Sequence, residues 1–156
     1  DNTLTDQLEL TFGPSGLVSD VNGKVWVICT GSYEGNDGML YRIDPGSLAI
    51  EDEIELGFNP SGNLDITPDG KALVYNDGNL VYKMDITAEN PPAQPWLEAT
   101  DVTSAYGLAV DKSNGDVYIT DALNFSTEGK VYIYAQDGSL KNSYVTGINP
   151  TDVIFK

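Results

Sequence analysis

The sequence predicts an all-β fold, and within that class a partial β-propeller. Three observations carry this reading. Helical periodicity is nearly absent, and short β-rich runs alternate with Gly, Pro, Asn and Asp at a spacing of roughly ten residues. A segment also recurs: residues 4–16 and 50–62 lie 46 positions apart and are identical at seven of thirteen sites, including Asp6/Asp52, Leu10/Leu56, Phe12/Phe58 and Pro14/Pro60. Finally, each β-rich run finds a counterpart one such period further on. A period in the forties in a strand-rich chain points to propeller blades.

The elements of a blade can be justified in order. An inner strand comes first and ends in a tight turn: Leu17–Val21 into Asn22-Gly23, Leu64–Ile66 into Asp69-Gly70, and Leu108–Val110 into Asn114-Gly115. Asn-Gly and Asp-Gly supply the positive φ that a tight hairpin needs. Second strands follow at Lys24–Cys29, Lys71–Tyr75 and Asp116–Thr120. The first of these is apolar on both alternating faces, as expected of a strand pressed between two neighbouring blades. The third strands share one pattern: Leu40–Asp44, Val81–Asp85 and Val131–Tyr134 each place a tyrosine second, expected to pack between blades. A fourth strand alternates Ile50, Asp52, Ile54 and Leu56 with Glu51, Glu53 and Glu55. Its acidic row reads as a wet edge that discourages strand addition. The stretch from Asp85 to Pro95, with Pro91-Pro92, reads as a stiff spacer between third and fourth strands.

This gives three complete blades, about 16–56, 62–99 and 106–146. Residues 3–10 match a fourth strand without its first three, an orphan outer strand. Residues 150–156 match a first strand without its following three, an orphan inner strand. Three blades and two orphan strands do not close a ring, and closure is what hides the edges of a propeller. The chain therefore reads as a single domain that is half of a propeller of six to eight blades, with the missing N-terminal half as its partner. A second copy closing the ring is the alternative.

Composition sets further bounds. The net charge is −16, with 8 basic and 24 acidic residues. That excludes nucleic acid as a partner, because nucleic acid needs a basic surface. Cys29 is the only cysteine, so no internal disulfide is possible, and its apolar neighbours make it a packing thiol. There is no histidine, which removes Ser-His-Asp and Cys-His catalysis and the commonest metal ligand. No Gly-rich phosphate loop, cysteine cluster or EF-hand pattern is present. No catalytic residue, metal site or cofactor is expected. The chain starts at Asp1 without a signal peptide, so a leader is expected to lie outside it.

A binding site is expected where inter-blade corners and second-to-third-strand loops converge. The corners place a large residue at one recurring spot, as in Phe12-Gly-Pro14, Phe58-Asn-Pro60 and Tyr106-Gly107. Such residues either plug the gap between blades or form a platform for a flat organic ligand. The loops differ from blade to blade, as recognition loops do, and offer Tyr33, Asp77, Asn124 and Phe125. The candidate ligand-binding set is thus Phe12, Tyr33, Phe58, Asp77, Tyr106, Asn124 and Phe125. Asn124-Phe125-Ser126 also matches the N-glycosylation triplet.

The runs Gly23–Cys29, Gly38–Pro45, Val81–Thr87, Tyr106–Leu108 and Asp116–Ala122 resemble the YVTN-like, seven-bladed surface propellers of gut Bacteroidetes, many of them domains of unknown function. The resemblance covers nearly the whole chain and corresponds to the C-terminal half of such a propeller. It implies a protein at the cell surface, on the outward side of the outer membrane, with the leader and lipid anchor outside this chain. Members include lipoproteins that capture cobalamin and pass it to a TonB-dependent transporter. The resemblance thus implies a non-enzymatic binder of a small organic ligand, with a corrinoid the first choice and an outer-membrane transporter as partner. Two other functions fit the fold: a scaffold that docks a transporter or other surface protein, and a lactonase- or lyase-type propeller enzyme. The missing histidine weighs against the enzyme.

Overall fold

Three four-stranded antiparallel sheets follow one another along the chain, each built from consecutive strands. The structure, a computed structural model, describes residues 6–155. The first sheet is β1 (Pro14–Ser19), β2 (Val25–Cys29), β3 (Met39–Asp44) and β4 (Ala49–Glu55). The second is β5 (Leu64–Ile66), β6 (Ala72–Asp77), β7 (Leu80–Asp85) and β8 (Leu97–Glu98). The third is β9 (Ala105–Val110), β10 (Val117–Asp121), β11 (Glu128–Tyr134) and β12 (Leu140–Ile148). In every sheet the spatial order equals the chain order. The described residues contain no helix. The fourth strand of the second sheet is the shortest, two residues, because Pro91, Pro92 and Pro95 occupy the approach to it and proline cannot donate to a ladder.

Alternation along the strands aims apolar residues at both faces, and the faces of adjacent sheets close on one another. Trp26, Ile28, Leu40, Ile54 and Leu56 of the first sheet pack against Ile66, Leu73, Tyr75, Tyr82 and Met84 of the second. Val74, Val81 and Leu97 on the far side of the second sheet pack against Leu108, Val110, Val117, Ile119, Tyr132 and Tyr134 of the third. The tyrosines of the third strands are buried, as their spacing predicts. The buried phenols of Tyr75 and Tyr134 have no hydrogen-bond partner among the described residues, and burial pushes the Tyr134 phenol up to about 12.

The inner strands β1, β5 and β9 lie side by side. The approach of β1 to β5 is close enough to require glycine, since a Cβ on Gly16 would sit 2.8 Å from the Leu64 Cβ; likewise a Cβ on Gly107 of β9 would sit 2.3 Å from the carbonyl oxygen of Thr151 in the segment that follows β12. Polar links fasten the same seam. Val21 N–H donates to the Gly70 carbonyl at 3.0 Å. Val110 N–H donates to the Asp65 carboxylate at 2.6 Å.

The orphan segments differ from strands in one respect. Residues 6–10 and 150–155 carry no ladder pairing, because a ladder needs a partner strand and neither segment has one among the described residues. Residues 3–5 and 156 lie outside the described residues. Both segments still pack where a neighbouring blade would. Leu8 and Leu10 cover Val27, Cys29, Tyr41 and Ile43 on the free face of the first sheet, and the Cys29 thiol is fully buried there. Burial pushes that thiol up, and a hydrogen bond with Thr11 draws it partly back. At the other end Thr120 donates to the Pro150 carbonyl at 2.7 Å, and Phe155 meets Tyr118 edge-on at 5.0 Å. Near this end Tyr144, Val145 and Ile148 of β12, and Ile154, are open to solvent.

The turns are tied by carboxylates. Asp20 accepts from the Trp26 indole N–H at 2.9 Å and from the backbone N–H groups of Asn22 and Lys24. Lys24 bridges Asp44 and Glu51, and Arg42 pairs with Glu51 and Asp52, so the acidic row of β4 is partly neutralised and not simply solvated. Asp20→Ala would strand the indole N–H inside the inter-sheet core. We expect a loss of about 1–3 kcal/mol, read as a lower urea midpoint at unchanged slope.

Hydrogen bonds hold several turn carboxyls below their ordinary values: Asp44 by Lys24 and Ser47, Asp69 by Thr67, Asp85 by Thr87, Asp111 by Ser113 and Asp137 by Ser139. A depressed folded pKa contributes stability above the unfolded value and loses it as pH falls toward the folded one. The urea midpoint should therefore hold steady above about pH 5 and fall progressively below it, with Asp44→Asn making the fall shallower.

Candidate ligand-binding face

One end of the sheets gathers the second-to-third-strand loops and the corners. It holds the start of β1, the β2–β3 loop, the two-residue β6–β7 turn, the β10–β11 loop and the corners between sheets. The opposite end carries the tight turns that join first to second strands, the third-to-fourth turns of the first and third sheets, and the longer β7–β8 connection with Pro91, Pro92 and Pro95.

The loop end is built on side chains that satisfy backbone groups of the loops and corners. In the first corner Asn59 donates to the carbonyls of Thr30, Ser32 and Asn36 at 3.0, 3.4 and 3.4 Å, fixing the long β2–β3 loop. In the second sheet the fully buried Asn76 donates to the Gly78 carbonyl at 2.7 Å and accepts from Asn63 at 3.1 Å. Asn63 also reaches the Tyr106 carbonyl at 3.3 Å. In the third sheet the fully buried Asp121 accepts from the N–H groups of Thr103, Ser104 and Leu123 at 2.9, 2.8 and 2.9 Å. Three charge-assisted bonds compensate its burial. None of these residues is a candidate from sequence. Their signal is weak: Asn76 and Asp121 lie at or near the end of a second strand, and Asn59 and Asn63 in the corner before β5, places where Asp and Asn are common in any turn.

The structure distributes the sequence candidates unevenly. Tyr106 and Phe125 come together, edge-on at 5.6 Å with an interplanar angle of 86°, and both are about half exposed, 45% and 51%. Phe125 has φ 62° and Leu123 φ 50°, left-handed backbone that costs a bulky residue about 1 kcal/mol or more. Asn124 holds this conformation. Its Oδ1 accepts from the N–H and hydroxyl groups of both Ser126 and Thr127 at 2.9–3.1 Å, and Phe125 N–H donates to the Ala122 carbonyl at 2.8 Å. Asn124 is therefore a positioning residue first, and its amide nitrogen donates to no described residue.

Phe58 departs from the expected mouth position. It is half buried and stacks on Tyr82 at 5.0 Å, which stacks on Tyr75 at 5.6 Å, so its ring heads a column that plugs the gap between the first two sheets. Phe12 is exposed and edges a groove of about 240 Å³ with Asn36, Asp37 and Glu55. Tyr33 is fully exposed beside a separate groove of about 270 Å³ formed with Ser32, Asn59 and Pro60. Neither ring meets another aromatic among the described residues. Asp77 ends β6 and accepts no hydrogen bond from a described residue. Burial, and next the Asp77 charge, push the Tyr82 phenol up. Among the described residues no three Cys, Asp or Glu side chains are grouped to hold a metal ion.

Solved structures of the same fold place this arrangement. A quinoprotein alcohol dehydrogenase-like protein of Bacteroides thetaiotaomicron superposes with a TM-score of 0.69 at 16% identity, over 84% of this chain and 33% of its own. The hydrazine synthase of Kuenenia stuttgartiensis superposes with a TM-score of 0.68 at 13% identity, over 97% of this chain and 41% of its own. At such identities the likeness is one of fold, and the three sheets are blades of a β-propeller. The chain spans well under half the length of either solved chain. No protein-family model matches it, and no curated protein matches its sequence.

Asp121→Ala would orphan three backbone N–H groups under the loop that carries Phe125. A loss of about 1–3 kcal/mol is expected, with Asp121→Asn losing less because one acceptor oxygen remains. Comparing the two urea midpoints checks this.

Proposed function

We propose that the loop end of this arc binds a flat organic ligand on the Tyr106–Phe125 pair, without catalysing a reaction. The observation that carries the reading is that two exposed rings are held in fixed relation by a strained loop. Ordered aromatic surface left in water is costly, and a ligand that stacks on it recovers that cost. Backbone strain of the kind at Leu123 and Phe125 collects at binding sites. Phe12, Tyr33, Asp77 and the amide nitrogen of Asn124 supply further contacts around the opening.

A corrinoid is the first ligand to test, on the strength of the sequence resemblance. In this reading the protein works at the cell surface and hands its ligand to an outer-membrane transporter. The three blades are one arc of a larger propeller. The exposed apolar residues of β12 and of residues 150–155, and the greater length of the structures that share the fold, support that part of the reading.

Calorimetric titration with cyanocobalamin should give saturable heat at micromolar ligand. Tyr106→Ala and Phe125→Ala should each weaken binding about tenfold, the size of a lost stacking contact near 1.4 kcal/mol. Absence of heat would sink the corrinoid choice. Unchanged affinity in both variants would remove the aromatic pair as the site. Recovery of an outer-membrane transporter by the ligand-free protein would favour the docking scaffold instead.

A further inference from the structure

The opposite, tight-turn end holds a second feature, independent of the aromatic pair. A groove of about 400 Å³ runs between the second and third blades. Thr67, Asp69 and Lys71 form one side, Lys83 and Asp85 the floor from β7, and Gln136 of the third blade the far side.

Carboxylates outnumber cations in this chain by 24 to 8, so a cation without a carboxylate partner is unusual. Lys24, Arg42, Lys112 and Lys141 are all ion-paired. Lys71, Lys83 and Lys130 make no ion pair among the described residues, and two of these three line the groove. Lys83 is the more constrained. Its ammonium sits 3.9 Å from the centre of the Trp96 ring, which fixes the head group over the ring face. Burial draws its pKa down with no carboxylate opposing the shift. An ammonium partly withdrawn from water and left unpaired is a charge that an incoming anion would stabilise.

The acidic side of the groove is built differently. Asp69 Oδ1 accepts from the Thr67 hydroxyl and Lys71 N–H at 2.7 and 3.1 Å. Asp85 Oδ1 accepts from the Thr87 N–H and hydroxyl at 2.8 and 2.6 Å. In both residues Oδ2 accepts nothing from the described residues. The hydrogen bonds hold both carboxyls below their ordinary values, so they stay ionised and can take donors.

We propose that this groove binds a small carboxylate that also carries hydrogen-bond donors, such as a sugar acid or an amino acid. The carboxylate meets Lys83, with Lys71 beside it, and the donors meet the free oxygens of Asp69 and Asp85. The mixed lining rejects a polyanion, which would face two carboxylates, and rejects a simple cation, which would face two ammonium groups.

Tryptophan emission reads the site, because Trp96 lies under Lys83 while Trp26 is sealed in the core. The probes are sodium gluconate, glycine and sodium acetate, titrated against sodium chloride at matched ionic strength. Gluconate or glycine should give a saturable change that chloride does not. Lys83→Met, which keeps the stem on the ring and removes the charge, should weaken it at least tenfold, and Lys130→Met should leave it unchanged. Acetate, lacking donors, should bind more weakly than the better of the other two. No saturable response to gluconate or glycine, or an equal response in Lys83→Met, overturns the site. Acetate binding as tightly overturns the role of Asp69 and Asp85. Circular dichroism confirms that Lys83→Met is folded, and Lys83→Gln serves if it is not.

Discussion

Every blade in this chain has two apolar faces, and a single four-stranded sheet cannot bury either of them. That constraint organises the rest. The residues facing one way from the second sheet, such as Leu73 and Tyr75, serve the first core, and those facing the other way, such as Val74 and Val81, serve the second. Stability is therefore shared between neighbours, as in other repeat architectures. The close approach of β1 to β5, which Gly16 permits, follows from the same need: faces can only meet if the inner strands crowd together.

Face-to-face packing leaves the ends of the sheets to polar chemistry. The loops and corners carry backbone groups which no strand satisfies; Asn59 serves the β2–β3 loop, Asn76 the β6–β7 turn, and Asp121 the corner before β9. These residues do not contact the proposed ligand. They decide where the Tyr106–Phe125 pair and the β2–β3 loop stand. At the other end the carboxylates of Asp20, Asp69 and Asp85 perform a related task for the tight turns, and the same construction leaves oxygens of Asp69 and Asp85 free in a groove beside Lys83.

The blade pattern was legible in the sequence because it repeats. Turn pairs such as Asn22-Gly23 and the tyrosine of each third strand recur at the period of the fold, so each occurrence supports the others. Exposure of Phe125 and Tyr33 was legible for a different reason, since both sit in loops without apolar periodicity. The difference between Phe58 and Phe12 was not. The two residues occupy equivalent places in a repeated segment, yet Phe58 has Tyr82 and Tyr75 beneath it and Phe12 has no such column. Sequence identity at a repeat position does not report what the next blade offers to pack against. Asn124 was misleading in the same way: a polar loop residue looks available until its acceptor is seen to be spent on Ser126 and Thr127. The Lys83 groove depends on contacts across two blades, and no local pattern announces it.

The lone thiol of Cys29 lies beneath Leu8 and Leu10, in a segment that holds to the first blade by side chains alone, without a ladder. Such a cover can lift while the sheet below stays intact, since breaking it costs apolar contact but no strand pairing. The thiol is thus shielded by a segment without strand pairing among the described residues. Its chemical reactivity would then report how often residues 6–10 lift from the first sheet, separately from the unfolding of the blades.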